Sequence, residues 1–276
     1  MKFQIDHDLH IHSHISPCAG YDPRQSPEAI LAYGLSNAFG LLCITDHIWD
    51  QNVATVERNP WKKRGLDVAR AKTLLPLPQS EACRILLGIE VDMDYLGNLG
   101  LSPQNYDAFD FIVLAPSHLH LKNFTRDEQT VGTSAAELKA YYQKRLLQLL
   151  NMDLPFHKCG LAHFASCLQC DKGKFSVLDR FTDEEFADIF SLAAARGLGI
   201  ELNAEDFPED AEAEGVLRPY RIAKKMGCKF YLGSDAHQPE DFAGKKAQLQ
   251  QIAEQLNLTE DDKLPLVKAL QTKSGK

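Results

Sequence analysis

The stretch FQIDHDLHIH, Phe3 to His12, decides how this chain is read. Its odd positions, Phe3, Ile5, His7, Leu9 and Ile11, are mostly apolar, and its even positions, Gln4, Asp6, Asp8, His10 and His12, are all polar. A period of two is the signature of a β-strand. The alternation predicts a strand over 3–12 with one face packed on helices and an ionisable face pointing inward. His10 and His12 then share a face, roughly 6.5–7 Å apart along the strand. Two imidazoles so placed can converge on one cation or lie on an exposed face, and this strand alone leaves both open.

Six further strands are predicted downstream, at 40–44, 84–91, 109–115, 159–164, 199–203 and 229–234. Helical patterns separate most of them. Ser26-Pro27-Glu28 opens one helix, and Thr182-Asp183-Glu184-Glu185 is a capping box opening another that Gly197 can stop. Residues 134–150 carry apolar side chains at helical spacing, and two more helices follow Arg218 and Glu240. A last helix, about 259–272, is expected as a cover. The alternation of strand and helix predicts an α/β fold with a parallel sheet.

The strand ends carry the chemistry. The second strand ends in Thr45-Asp46-His47, and the third sets Glu90 and Asp92 opposite an apolar face. A lone buried carboxylate is costly, so Glu90 calls for a cation. The fourth stretch, FDFIVLAPSHLH (109–120), delivers His118 and His120. CGLAHF (159–164) delivers His163, and KFYLGSDAH (229–237) delivers Asp235 and His237. In parallel α/β folds, ligands gather at the carboxyl ends of the strands. Six of the ten histidines (10, 12, 47, 118, 163, 237), with Glu90 and Asp235, lie at or near such ends. Imidazole and carboxylate suit Zn, Mn or Fe, and these are too many ligands for one ion, so a multinuclear site is expected.

Composition narrows the class. The 276 residues are 44% hydrophobic and 25% charged, the balance of a soluble globular chain. No apolar run reaches the roughly 18 residues of a membrane helix, and the N-terminal residues lack a secretory h-region. A net charge of −8 makes nucleic acid an unlikely partner, and WKKRG (61–65) is the only dense basic cluster. Five of the seven cysteines (18, 43, 83, 159, 228) have no close cysteine neighbour, which predicts a reducing, cytoplasmic setting. Cys167 and Cys170 form a single CxxC that reads as ordinary thiols. Phosphate loops and nucleophile elbows are absent. His7 and His157 are expected to be structural.

His10-Ile11-His12, Thr45-Asp46-His47, Glu90 in GIEVD, His118, His163 and GSDAH (233–237), in this order, resemble the PHP (polymerase and histidinol phosphatase) superfamily. The resemblance covers Phe3 to Phe242 and is closest to histidinol-phosphatase-like members. It implies one domain over 1–276, folded as a distorted seven-stranded (β/α)7 TIM-like barrel with its metal site at the C-terminal strand ends. It implies two or three divalent ions and hydrolysis of a small phosphomonoester by a hydroxide bridging the metals. His10, His12, Glu90 and Asp235 would hold the first ion. Glu90, His118 and His163 would hold the second, and His47 and His237 the third. Cys18 stands where a third-site ligand is expected, with His14 as a substitute. The family spacing would place the fourth-strand histidine at Ser117. One extra residue makes it His118, with His120 as competitor or substrate contact.

Asp8 and Asp46 are expected to orient imidazoles. Glu201 and Asn203, on the inward face of the sixth strand, are expected to line the site. Arg58, Lys62, Lys63, Arg64 and Arg218 are candidates for a phosphate clamp. Histidinol phosphate is the substrate the resemblance implies. A nucleotide or nucleic-acid phosphodiesterase, a metal-dependent amidohydrolase and a non-catalytic metal-dependent scaffold are the competing functions.

Overall fold

A computed structural model describes residues 1–166, 168, 174–207 and 213–272. Cys167 and Cys170 of the CxxC lie outside the described residues. The strands are β1 (His7–Ile11), β2 (Leu41–Ile44), β3 (His47–Ile48), β4 (Arg84–Asp92), β5 (Phe111–Ala115), β6 (Cys159–Leu161), β7 (Gly199–Asn203) and β8 (Lys229–Gly233). All pair in parallel, in the order β1-β2-β4-β5-β6-β7-β8, and the two-residue β3 also pairs with β4, past the end of β2. Just past β8 the ring nearly closes onto β1. The amide of Asp235 donates to the carbonyl of His10 at 2.9 Å, and that of His12 to Ala236 at 3.0 Å. The fold is the distorted seven-stranded barrel expected from the sequence.

The helices between strands begin and end where their capping residues dictate. Ser26 accepts from the Ala29 amide to open α1 (Pro27–Ser36). Ser134 opens α4 (Ala135–Leu150). Thr182 and Glu185 form a reciprocal capping box on α6 (Asp183–Arg196), which stops at Gly197 with φ of 76°. The remaining helices are α2 (Pro60–Lys63), α3 (Val68–Lys72), α5 (Lys174–Leu178), α7 (Ala213–Lys225), α8 (Lys245–Gln255) and α9 (Pro265–Thr272). The apolar faces of α1 and α3 to α8, with one side of each strand, form the larger core.

A second apolar cluster fills the barrel itself. Leu9, Leu41, Cys43, Leu86, Phe111, Val113 and Tyr231 pack with Leu264, Val267 and Leu270 of the C-terminal segment. The predicted cover thus plugs the end where the strands begin. The fully buried side chain of Lys263 pins it there, with Nζ 2.9 and 3.0 Å from the two oxygens of Asp6 and 2.8 Å from Glu260. The opposite end, where the strands finish, is left to polar groups.

Three expectations need correcting. The strand predicted over 3–12 is confined to His7–Ile11, and its register against β2 slips between Asp8 and Ile11. This bulge breaks the strict alternation. Leu9 joins the inner cluster, while Ile11, Phe3 and Ile5 belong to the outer core. The fifth predicted strand stops at Leu161, so His163 lies two residues beyond its end. The helix expected after Arg218 begins at Ala213 and contains that residue.

The floor ion pair makes a pH prediction. Burial opposes ionisation of Asp6, but its bond to His7 and the Lys263 ammonium outweigh it and bring its pKa down to about 2. A carboxylate depressed in the folded state stabilises the fold fully above its unfolded value, and loses that contribution as pH falls through the folded one. Asp6→Asn is therefore expected to cost about 1–2 kcal/mol at pH 7, after allowance for its partial exposure. The gap from wild type should close between about pH 4 and pH 2, as read from denaturant midpoints.

Candidate metal centre

Glu90 sits near the end of β4, the longest strand, flanked in register by His47 of β3 and Val113 of β5. It is 1% exposed. Its Oε2 lies 3.1 Å from His47 Nε2 and 3.4 Å from Nε2 of both His10 and His12. Its Oε1 lies 2.9 Å from His163 Nε2 and 3.7 Å from His118 Nε2. Five imidazoles from four strand ends thus surround one carboxylate. Asp235 faces it from past β8, its Oδ1 3.2 Å from His12 Nε2 and 3.4 Å from His10 Nε2. Asp235 has φ of 55°, a left-handed turn that aspartate tolerates better than most residues.

Four three-residue groups with ligand atoms within 4.8 Å of one another result: His10–His12–Glu90, His10–His163–Asp235, His47–Glu90–His118 and His12–Cys18–His237. The Cys18 sulfur is 3.6 Å from His12 Nδ1 and 2.7 Å from the Ser16 hydroxyl. His237 is aimed by its Nδ1, 2.7 Å from the Asp235 carbonyl, and its amide donates to Asp241.

Behind the imidazoles lies a shell of buried acceptors. Glu201 Oε1 is 2.7 Å from His10 Nδ1, and its Oε2 accepts from the His163 amide at 2.6 Å and from Asn203 at 3.2 Å. Asp92 Oδ1 is 2.7 Å from His118 Nδ1, and its Oδ2 accepts from the Trp61 indole at 2.6 Å. Ser117 Oγ is 2.7 Å from His163 Nδ1. Such partners set the ring orientation and the tautomer of each imidazole. Arg145 is buried on α4 and donates to the carbonyls of Met93, Asp94, Pro116 and Thr125, clamping together the segments that follow β4 and β5.

The electrostatics describe a site that wants positive charge at its centre. Burial would raise the pKa of Glu90, but the charges of His47, His10 and His118 outweigh it and hold the carboxyl well below its ordinary range. Burial would lower His10, but Glu201, Asp235 and Glu90 push it well above its usual value. His163 is pushed up to about 9, against burial, by Glu90. Protons here do what a bound cation would do. His10 Nε2 is buried with no hydrogen-bond partner, 3.4 Å from both Glu90 and Asp235. A buried nitrogen facing two carboxylates suits a divalent ion.

The nine sequence-derived ligands, His10, His12, Cys18, His47, Glu90, His118, His163, Asp235 and His237, all fall in these groups. Their partition differs from the one the resemblance implies: His47 groups with Glu90 and His118, whereas Cys18 and His237 group with His12. His120 and His14 lie in none of the groups, and each has a buried Nδ1 without a partner. Burial and the neighbouring His118 bring the pKa of His120 down to about 4. Glu201 and Asn203 support His10 and His163 from behind.

Asp8 accepts from the amides of Ser234 and His10, so it braces backbone, and Asp46 accepts from the amide and hydroxyl of Ser13. Arg58, Lys62, Lys63 and Arg64 are exposed on the segment after β3. Arg218 is held in the outer helix layer by Asp183 and the Phe181 carbonyl. Asp92, Ser117 and Trp61 were given no role by the sequence reading. Period two on β4 places Asp92 on the face of Glu90, but nothing in the sequence signals Trp61.

Gly233 makes room for this packing. A Cβ there would overlap the Glu201 carboxylate and come within 2.8 Å of His10 Cβ. Gly233→Ala is expected to destabilise by about 1–3 kcal/mol. The cost should shrink in a Glu201→Ala background, a comparison that denaturant titration of the four proteins makes directly.

The comparisons with known proteins agree with this architecture. Among curated proteins, no sequence matches the chain. A putative histidinol phosphatase from Listeria monocytogenes has a similar structure, with a TM-score of 0.58 at 16% identity over 86% of this chain and 97% of its own. The histidinol phosphate phosphatase of Lactococcus lactis, solved with zinc, L-histidinol and phosphate, gives 0.59 at 14% identity over 94% and 98%. At these identities the two structures share the fold. The PHP domain family model matches residues 8–205, the span that carries all but two of the converging ligands, and the chain therefore belongs to the PHP domain family.

Proposed function

We propose that the chain is a metal-dependent phosphoesterase that hydrolyses a small phosphomonoester, with histidinol phosphate as the leading candidate. One observation carries this reading: a buried carboxylate, Glu90, ringed by five imidazoles at 2.9–3.7 Å and faced by Asp235. The donor set is nitrogen and oxygen with one sulfur, which suits two or three ions of the Zn, Mn or Fe class. By the groups the residues form, His10 with His12, Glu90, His163 and Asp235 would share one ion, Glu90, His47 and His118 a second, and His12, Cys18 and His237 a third. Bound divalent ions supply charge neutralisation for the phosphoryl oxygens and lower the pKa of water.

The chain's own residues do the rest. Glu201 and Asp92 keep His10 and His118 oriented, so each presents Nε2 to the centre. His120 lies beside His118, with 5.1 Å between ring centroids, where it can contact a bound substrate. Arg58 and Arg64, exposed on the segment after β3, are the candidates for a phosphate clamp. The similarity in fold to the listerial putative histidinol phosphatase and to the lactococcal enzyme solved with L-histidinol and phosphate supports this substrate class.

Glu90→Gln and Asp235→Asn are expected to lower bound metal by at least one ion and to remove phosphate release from a panel of small phosphomonoesters. Near-wild-type turnover in both would end the assignment. Comparing p-nitrophenyl phosphate with its bis-ester separates monoesterase from diesterase action. Cobalt-loaded protein should show a sulfur-to-metal charge-transfer band in the near ultraviolet that Cys18→Ser abolishes. An unchanged spectrum would remove Cys18 from the ligand set.

A further inference from the structure

Trp61 reaches the centre from outside the barrel. It lies on α2, in the segment between β3 and α3, and its ring is 6% exposed. One face stacks on the imidazole of His47, with 4.2 Å between centroids and 9° between planes. Its Nε1–H donates to Asp92 Oδ2 at 2.6 Å. That same oxygen is 3.4 Å from His47 Nδ1, a buried nitrogen with no hydrogen-bond partner, and the other Asp92 oxygen holds His118 at 2.7 Å. His47 and His118 form one of the three-residue groups with Glu90. One indole therefore touches one of these rings directly and the other through Asp92.

Each contact removes a freedom. The stack fixes the plane of His47, and the indole N–H fixes the rotation of the Asp92 carboxylate, which in turn sets His118. Trp61 is itself held by a small separate core of Trp49, Val56, Leu66 and Phe124. Through this side chain the segment that carries the exposed basic residues touches the centre.

We propose that Trp61 is a positioning residue: it holds His47 and His118 in their ion-binding orientation through Asp92, and it ties the 50–66 segment to ion binding. The inference rests on the metal-dependent reading of the site. Its test is binding, not turnover. Metal-stripped protein is titrated with Zn²⁺ and, separately, Mn²⁺, and bound metal and tryptophan emission are followed together. The chain has two tryptophans, so Trp61→Phe leaves Trp49 as the reference.

Wild-type emission is expected to change on metal addition, and the residual Trp49 emission in Trp61→Phe to stay constant. Trp61→Leu should weaken at least one ion by about 10–100-fold, the usual effect of losing a partner behind a ligand. Trp61→Phe, which keeps the stacking face, should lose less. In an Asp92→Asn background, Trp61→Leu should add little, because both act on the same two rings. A folded Trp61→Leu protein with wild-type affinity and stoichiometry overturns the proposal and leaves the metal reading intact. Should that variant not fold, unchanged binding and metal-responsive emission in Trp61→Phe overturn it equally. A wild-type protein that binds no ion overturns the metal reading itself.

Discussion

Everything at the C-terminal end of the barrel is organised around the burial of Glu90. A carboxylate removed from water carries a penalty of several kcal/mol unless opposite charge and hydrogen bonds surround it. Here the compensation comes from five imidazoles at four strand ends, and three of them, His10, His118 and His163, are oriented by Glu201, Asp92 and Ser117. No single element could supply this shell. The parallel barrel can, because it brings every strand end to one rim.

The two ends of the barrel solve opposite problems. At the floor, apolar strand residues meet Leu264, Val267 and Leu270, and Lys263 is paired with Asp6 and Glu260 at the edge. At the rim, inward positions turn ionisable. Glycine marks the change of character: Gly233 lies where any larger side chain would displace Glu201 and press on His10. An apolar floor packed beneath a polar rim fixes the strands so that the imidazoles at their ends meet around one carboxylate.

Much of this was legible in the chain. Alternating apolar and polar residues marked the first strand, and polar groups at the strand ends marked the rim. His10, His12 and Glu90 could be read as convergent because period two is a local property of a strand. The bulge in β1 was not legible, since a slip in pairing depends on the neighbouring strand and leaves no mark in an alternating pattern. Arg218 looked available as a loop cation, yet it is engaged with Asp183 from another helix.

The sequence by itself determined the fold class, the helix caps and the histidines and acids able to bind a cation, because each follows from local periodicity or from the chemistry of a single residue type, whereas Cys18 entered only through the family resemblance. Only the tertiary structure decided how those side chains are shared: which imidazole faces which oxygen, that His118 rather than His120 meets Glu90, and that Trp61 and Asp92 stand behind the rings. Those are distances between residues far apart in the chain, set by strand register and loop packing, and no local pattern encodes them.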